Sequence, residues 1–263
     1  MLRLSEAAAR PPRLVTASAG NHGRGLALAA AAAGLPLTVY VPESAPATKL
    51  AALRRSGADV ILSSDYDDAE RRAKKHGEEG TAQFISPYSH PDVIAGAGTV
   101  GLEILEQDPE VDTIVVAMGG GGLASGVAIA TAGRAQTLGV EAAASCPFTQ
   151  GLAAGRIVPI EVADTLADGL AGNLDPDTIT FGIVRDQLAG IATVTEPQIE
   201  EAIVGLVREE RLIAEGAAAT AVAGVLSRNV DVKGRRLAVV LSGANIDPQT
   251  LGRILANSAG TRH

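Results

Sequence analysis

The chain has 263 residues and a formal net charge of −8, with a hydrophobic share of 46% but an aromatic share of only 2%. That length can bury a large core, in one big domain or in two lobes sharing a cleft. The acidic balance and the lack of a basic run argue against a nucleic-acid partner, whose phosphates need a concentrated positive footprint. A single cysteine, Cys146, excludes an intrachain disulfide and removes Cys-based metal clusters. The apolar run Leu26–Ala33 is too short to span a bilayer. The N-terminus, with Arg3, Glu6 and Arg10, lacks the uninterrupted apolar segment of a secretory signal, so a cytoplasmic protein with no membrane partner is expected.

In chain order, Met1–Ala9 reads as the end of a helix stopped by Pro11-Pro12. Leu14-Val15-Thr16 reads as a short strand entering the polar, glycine-punctuated turn Ser18–Gly23, and an alanine-rich helix follows to Ala33. Leu37–Val41 is a strand ended by Pro42, Lys49–Arg55 a helix closed by Gly57, and Asp59–Leu62 the next strand. The charged segment Asp67–Glu79, with its Lys74-Lys75 pair, reads as a solvated helix. Ala82–Ile85 is a strand and Pro91–Glu106 a long helix.

The densest signal is Thr113–Met118, a β-branched strand, followed by Gly119-Gly120-Gly121-Gly122 and a helix beginning at Leu123. Four glycines allow successive N–H groups to converge at a helix N-terminus, which suits a phosphate. Taken alone, the run fits equally a turn that merely needs positive φ. Beyond it lie a strand around Val140, a helix ending at Gly155, a loop carrying Ala167-Asp168-Gly169-Leu170, and helices over Pro197–Arg211 and Ala217–Leu226. Leu237–Leu241 reads as a strongly buried strand, ending in Ser242-Gly243-Ala244-Asn245 before a last helix. The alternation of strands and helices predicts an α/β fold of parallel sheets with helices on both faces, and ligands beyond the carboxyl ends of the strands.

These motifs together, Ser-Ala-Gly-Asn-His-Gly, then Gly-Gly-Gly-Gly-Leu, then Ala-Asp-Gly, then Ser-Gly-Ala-Asn, resemble the pyridoxal-phosphate enzymes of fold type II. Among them the chain is most similar to the serine/threonine dehydratases (threonine ammonia-lyases) and their serine racemase relatives. The resemblance implies pyridoxal 5'-phosphate as cofactor, held by Gly119, Gly120, Gly121, Gly122 and Leu123 at its phosphate, by Asn21 at its ring hydroxyl and by Ser242 at its ring nitrogen. It also implies that Ser18, Asn21 and His22 hold the carboxylate of a small hydroxy amino acid. Local readings stand beside these: Ser242, Asn21 and His22 as helix-capping residues, and Glu215 as either a site acid or a surface one.

Three departures qualify the resemblance. The Ser-Phe-Lys type motif carrying the Schiff-base lysine does not occur; the lysines are Lys49, Lys74, Lys75 and Lys233, so no catalytic residue is assigned and the chain alone is expected to be inactive or nearly so. By alignment that position falls before Met1, which points to an N-terminally truncated chain. Second, Ala19 stands where the racemases carry a serine that delivers the second proton, favouring the dehydratase. Third, the family's cation site matches Glu141 and Ser145, but Pro147 replaces its acid; no metal is assigned and Glu141 is read as a solvated strand-end acid.

The expected organisation is a small lobe over 14–89 and a large cofactor-binding lobe over 1–13 and 90–263, incomplete at its N-terminus. With the chain ending at His263, the resemblance implies a short form without the C-terminal regulatory domain of the biosynthetic enzymes. The expected reaction is conversion of serine or threonine to a 2-oxo acid and ammonia by a homo-oligomer. The alternatives are a non-catalytic protein that binds pyridoxal phosphate or a small phosphate, and a serine racemase-like enzyme.

Overall fold

The computed structural model describes residues 11–258, so the helix expected over Met1–Ala9 lies outside the described residues. The chain forms two compact units, the first ending at Asp92 and the second beginning at Val93. Each is organised on a four-stranded sheet whose pairings are all parallel.

In the first unit the order along the chain is β1 (Leu14–Ala17), α1 (Asn21–Ala32), β2 (Leu37–Pro42), α2 (Ala47–Arg55), β3 (Asp59–Ser63), α3 (Tyr66–Glu78) and β4 (Gln83–Phe84). The strands lie in the order β3-β2-β1-β4, so β1 is central and every one of its residues is buried. Strand alternation sends Val15 and Ala17 to one face, where Ala69 and Ala73 of α3 cover them. That helix starts where Asp65 accepts the Asp68 N–H at 2.8 Å, a side-chain cap that also places negative charge at the positive end of the helix. Its outer face is charged, as its sequence predicts.

The second unit runs α4 (Pro91–Gln107), β5 (Thr113–Ala117), α5 (Gly122–Thr131), β6 (Gln136–Ala142), α6 (Pro147–Ala154), a 3-10 turn (Asp168–Leu170), α7 (Thr180–Gln187), β7 (Gly190–Val194), α8 (Glu196–Gly205), α9 (Gly216–Leu226), β8 (Leu237–Val239) and α10 (Pro248–Asn257). Its sheet order is β7-β6-β5-β8. Central β5 shows why a continuous apolar strand is needed. Val115 and Ala117 face a core built with α8, α9 and α10, whereas Ile114 and Val116 face one built with α5, α6 and α7. Helix α9 is buried along most of its length and is almost wholly alanine, glycine and valine. Small side chains let it approach the sheet closely: a Cβ at Gly224 would stand 2.8 Å from Val140 Cγ2.

Several expectations are corrected here. Leu237–Leu241 is not a strongly buried strand: β8 covers only Leu237–Val239, all partly exposed, and Leu241 is 39% exposed. The reason is position, since among the described residues β8 pairs with β5 alone, at the edge of the sheet. The helix expected over Pro197–Arg211 is α8 followed by a wider π-helical turn, Leu206–Glu210, which Arg211 ends in the left-handed region at φ 60°. Strand β7 and helix α7 lie outside the elements the sequence predicts; β7 is a short strand, Gly190–Val194, whose residues are mostly small or apolar but, apart from Val194, only partly buried. Among the described residues, no helix is long and apolar enough to cross a membrane.

Candidate functional site

In parallel α/β sheets the carboxyl ends of the strands are where helix N-termini converge. In the second unit the end of β5 leads straight into Gly119–Gly122 and the first turn of α5. Gly121 is the residue before the helix and has φ 80°, a conformation that a residue with a Cβ rarely takes. The first N–H groups of α5 have no carbonyl one turn earlier to bond, and its first turn carries no acidic side chain. A turn of this kind presents donors and the positive end of a helix to an anion.

The turn is braced from below by side chains on other elements. Phe148, fully buried in the first turn of α6, lies so close that a Cβ on Gly121 would stand 2.6 Å from its Cζ. Phe148 stacks in turn on Phe181 of α7, with ring centroids 6.2 Å apart. Thr180, at the start of α7, donates its hydroxyl to the Gly120 carbonyl at 2.8 Å. None of these residues carries a sequence signal that ties it to the turn.

Glu141 corrects an expectation. It is not a solvated acid: it is fully buried on β6 and its carboxylate accepts the Phe148 N–H at 2.9 Å, the Thr149 N–H at 2.8 Å and the Thr149 hydroxyl at 2.6 Å. Burial pushes its carboxyl above the usual range, while these bonds pull the other way. The carboxylate thus caps α6 and fixes Phe148 under the glycine turn. Among the described residues, no cluster of His, Cys, Asp or Glu side chains is arranged to hold a metal ion.

Two further segments of the second unit approach the turn. The Asp168–Leu170 segment lies against it, since a Cβ on Gly119 would stand 2.8 Å from Leu170 Cα. The Val240 N–H bonds the Val115 carbonyl at 3.0 Å, so Ser242, two residues later and exposed, emerges beside the end of β5 that leads into the glycines. Asp247, not Ser242, caps the helix that follows, accepting the Gln249 N–H at 2.9 Å. Glu215 is a buried residue, not a surface one. It holds the Ser242–Asn245 segment, donating its N–H to the Gly243 carbonyl at 3.1 Å and accepting the Asn245 N–H at 2.8 Å.

The first unit has its own strand-turn-helix, Ser18–Gly23, between β1 and α1. Ser18 Oγ accepts the Gly20 N–H at 3.2 Å, and Gly20 occupies the position before the helix, so neither Asn21 nor His22 caps it. Asn21 opens the helix and is exposed; α1, like α5, has no acid in its first turn. A Cβ on Gly23 would stand 2.1 Å from the Ser18 carbonyl oxygen, so the turn can close only over glycine. His22 Nε2 lies 3.1 Å from Thr16 Oγ1, and Thr16 donates its hydroxyl to the Ile85 carbonyl at 2.7 Å. Because the threonine proton is committed, Nε2 is the donor and Nδ1 the acceptor. Desolvation by burial lowers the ring's pKa to about 4, with a smaller push from His90 in the same direction and an opposing hydrogen bond to Ile85. The imidazole is therefore neutral at neutral pH.

Two parallel-sheet units, with a glycine turn between the end of a central strand and the start of a helix, define an α/β protein. Residues 1–243 match the family described as pyridoxal-phosphate dependent enzyme. The chain belongs to that family, and its two parallel sheets are the architecture of fold type II. It is 41% identical over 246 residues to the L-threonine ammonia-lyase of Thermotoga maritima, covering 92% of this chain and 61% of that relative. Among solved structures it is similar to the processed form of threonine deaminase isoform 2 from Solanum lycopersicum, with a TM-score of 0.83 and 32% identity over 95% of this chain and 74% of that one. Maize serine racemase gives the same TM-score and identity over 94% of this chain and 77% of that one.

Proposed function

We propose that this chain carries the cofactor-binding and substrate-binding elements of a pyridoxal-phosphate dependent ammonia-lyase acting on serine or threonine. The observation that supports this most is the braced glycine turn with the Ser242 segment beside it, in a chain 41% identical to a threonine ammonia-lyase. When bound, pyridoxal phosphate supplies the electron sink that lets an amino acid lose its α-proton and its β-hydroxyl. In this reading the backbone of Gly119–Gly122 and Leu123 holds the phosphate, and Asn21 holds the ring hydroxyl. Ser242 presents a neutral hydroxyl to the ring nitrogen and so leaves it unprotonated, which suits β-elimination. Ser18 with the Asn21-His22 backbone holds the substrate carboxylate. In the same reading residues 14–89 form the small lobe, within the first unit, and the second unit belongs to the large, cofactor-binding lobe. The setting is cytoplasmic and the assembly a homo-oligomer.

Ala19, beside Ser18, has no group to deliver a proton, which supports the lyase over a racemase.

A second reading is favoured by the lysines. Lys49 lies on α2, Lys74 and Lys75 lie on α3, and Lys233 lies in the loop before β8, so all four fall outside the three turns that carry the proposed ligands. This chain alone is therefore expected to hold pyridoxal phosphate without a covalent link. Borohydride treatment of the loaded chain should trap no adduct; a stoichiometric adduct on any of the four lysines would overturn that expectation. Gly120→Val should weaken binding of pyridoxal phosphate with little change in folding, and unchanged binding would mean that Gly119–Gly122 is only a turn.

A further inference from the structure

The glycine turn is held by a hydroxyl relay that reaches it from α7. Thr180 is fully buried and its hydroxyl donates to the carbonyl of Gly120, sixty residues away in sequence, at 2.8 Å. Its proton is thereby committed, so the contact between Thr178 Oγ1 and Thr180 Oγ1, at 2.8 Å, runs with Thr178 as donor. Thr178 Oγ1 also accepts the Thr180 N–H at 3.3 Å, closing the relay on itself. The Gly120 carbonyl and the Gly121 N–H belong to one planar trans peptide and point in opposite directions. A carbonyl drawn toward α7 therefore turns the Gly121 N–H away from α7.

We propose that Thr180 is a positioning residue for phosphate binding, setting through the Gly120 carbonyl the direction in which the Gly121 N–H is presented to the anion. This rests on the reading that the glycine turn holds the cofactor phosphate. Without the hydroxyl, the Gly120-Gly121 peptide loses the partner that orients it. The preorganised donor then has to be ordered by the ligand itself.

The test compares two probes that differ only in the phosphate. The full chain is titrated with pyridoxal phosphate and with pyridoxal. Thr180→Val should raise the Kd for pyridoxal phosphate about tenfold while leaving that for pyridoxal unchanged. Thr180→Ser, which keeps the hydroxyl, should restore wild-type binding. Equal weakening of both probes, no weakening of either, or failure of the serine variant to restore would overturn the proposal. A wild-type chain that binds pyridoxal phosphate no more tightly than pyridoxal would instead sink the phosphate-holding turn, and the proposal with it. Should the valine variant not fold, Thr178→Val removes the donor that orients Thr180; an unchanged ratio between the two probes there overturns the relay.

Discussion

The two glycine turns follow one plan, a buried central strand passing into the N-terminus of a helix, yet they are stabilised in different ways. In Ser18–Gly23 the brace is local: Ser18 accepts from Gly20, and the Ser18 carbonyl crowds the Cα of Gly23. In Gly119–Gly122 the brace is remote, with Phe148 and Thr180 reaching it from other helices and Glu141 holding Phe148. The difference follows from what each turn exposes. The first offers side chains, Ser18 and Asn21, on a turn that needs little support. The second offers only backbone, and a glycine run has no side chains with which to hold its own shape.

The largest expected effect attacks the local brace. Gly23→Ala places a Cβ against a backbone oxygen that has no rotamer to yield, and should cost about 4 kcal/mol of stability, read by denaturant unfolding. A loss below about 1 kcal/mol would mean that the turn opens freely. Next comes the remote brace. Glu141→Leu leaves two N–H groups and the Thr149 hydroxyl without their acceptor but also removes a buried carboxylate, for a net cost of about 3 kcal/mol. Pyridoxal phosphate binding should fall with it, whereas a stable variant with full binding would detach Phe148 from the turn.

The pH dependence separates the turns further. His22 has its pKa lowered from 6.5 to about 4 in the folded chain, so folding favours the neutral ring. Its contribution is complete above pH 6.5 and is lost as pH falls toward 4, at most roughly 3 kcal/mol. His22→Gln should flatten that acid limb of a melting-temperature profile; an unchanged limb would place the acid sensitivity elsewhere. The smallest effect is of opposite sign. Ser125, buried one turn into α5, has a hydroxyl with no hydrogen-bond partner among the described residues. Ser125→Ala should stabilise the chain by about 1 kcal/mol, and destabilisation would reveal a partner for the hydroxyl.

The strand-turn-helix plan was legible because a β-branched apolar run ended by glycines marks a buried strand and its turn, and β5 and α5 fall within a residue or two of where the sequence places them. The braces were not legible. Thr178 and Thr180 sit in a polar loop-to-helix junction that carries no periodicity, and their partner lies in another element. Glu141 was misjudged because an acid at a strand end is commonly wet; here β6 lies between two other strands, and the start of α6 supplies donors in place of water. Strand β8 failed for the reverse reason: its apolar residues suit a core strand, but an edge position leaves them half exposed.

The edge position of β8 also bears on the order in which the chain assembles. Strands β5 and β6 are near neighbours in sequence, while β8 joins β5 across more than a hundred residues, its entry fastened by Arg236 to Asp108 and Glu110. Loop closure of that length is slow to form, and an edge strand is early to open. Amide exchange at Val240 should therefore outpace exchange at Met118, whose N–H bonds the Val140 carbonyl inside the sheet. The Ser242 segment, which follows β8, then depends on Glu215 as well as on that strand to keep its place.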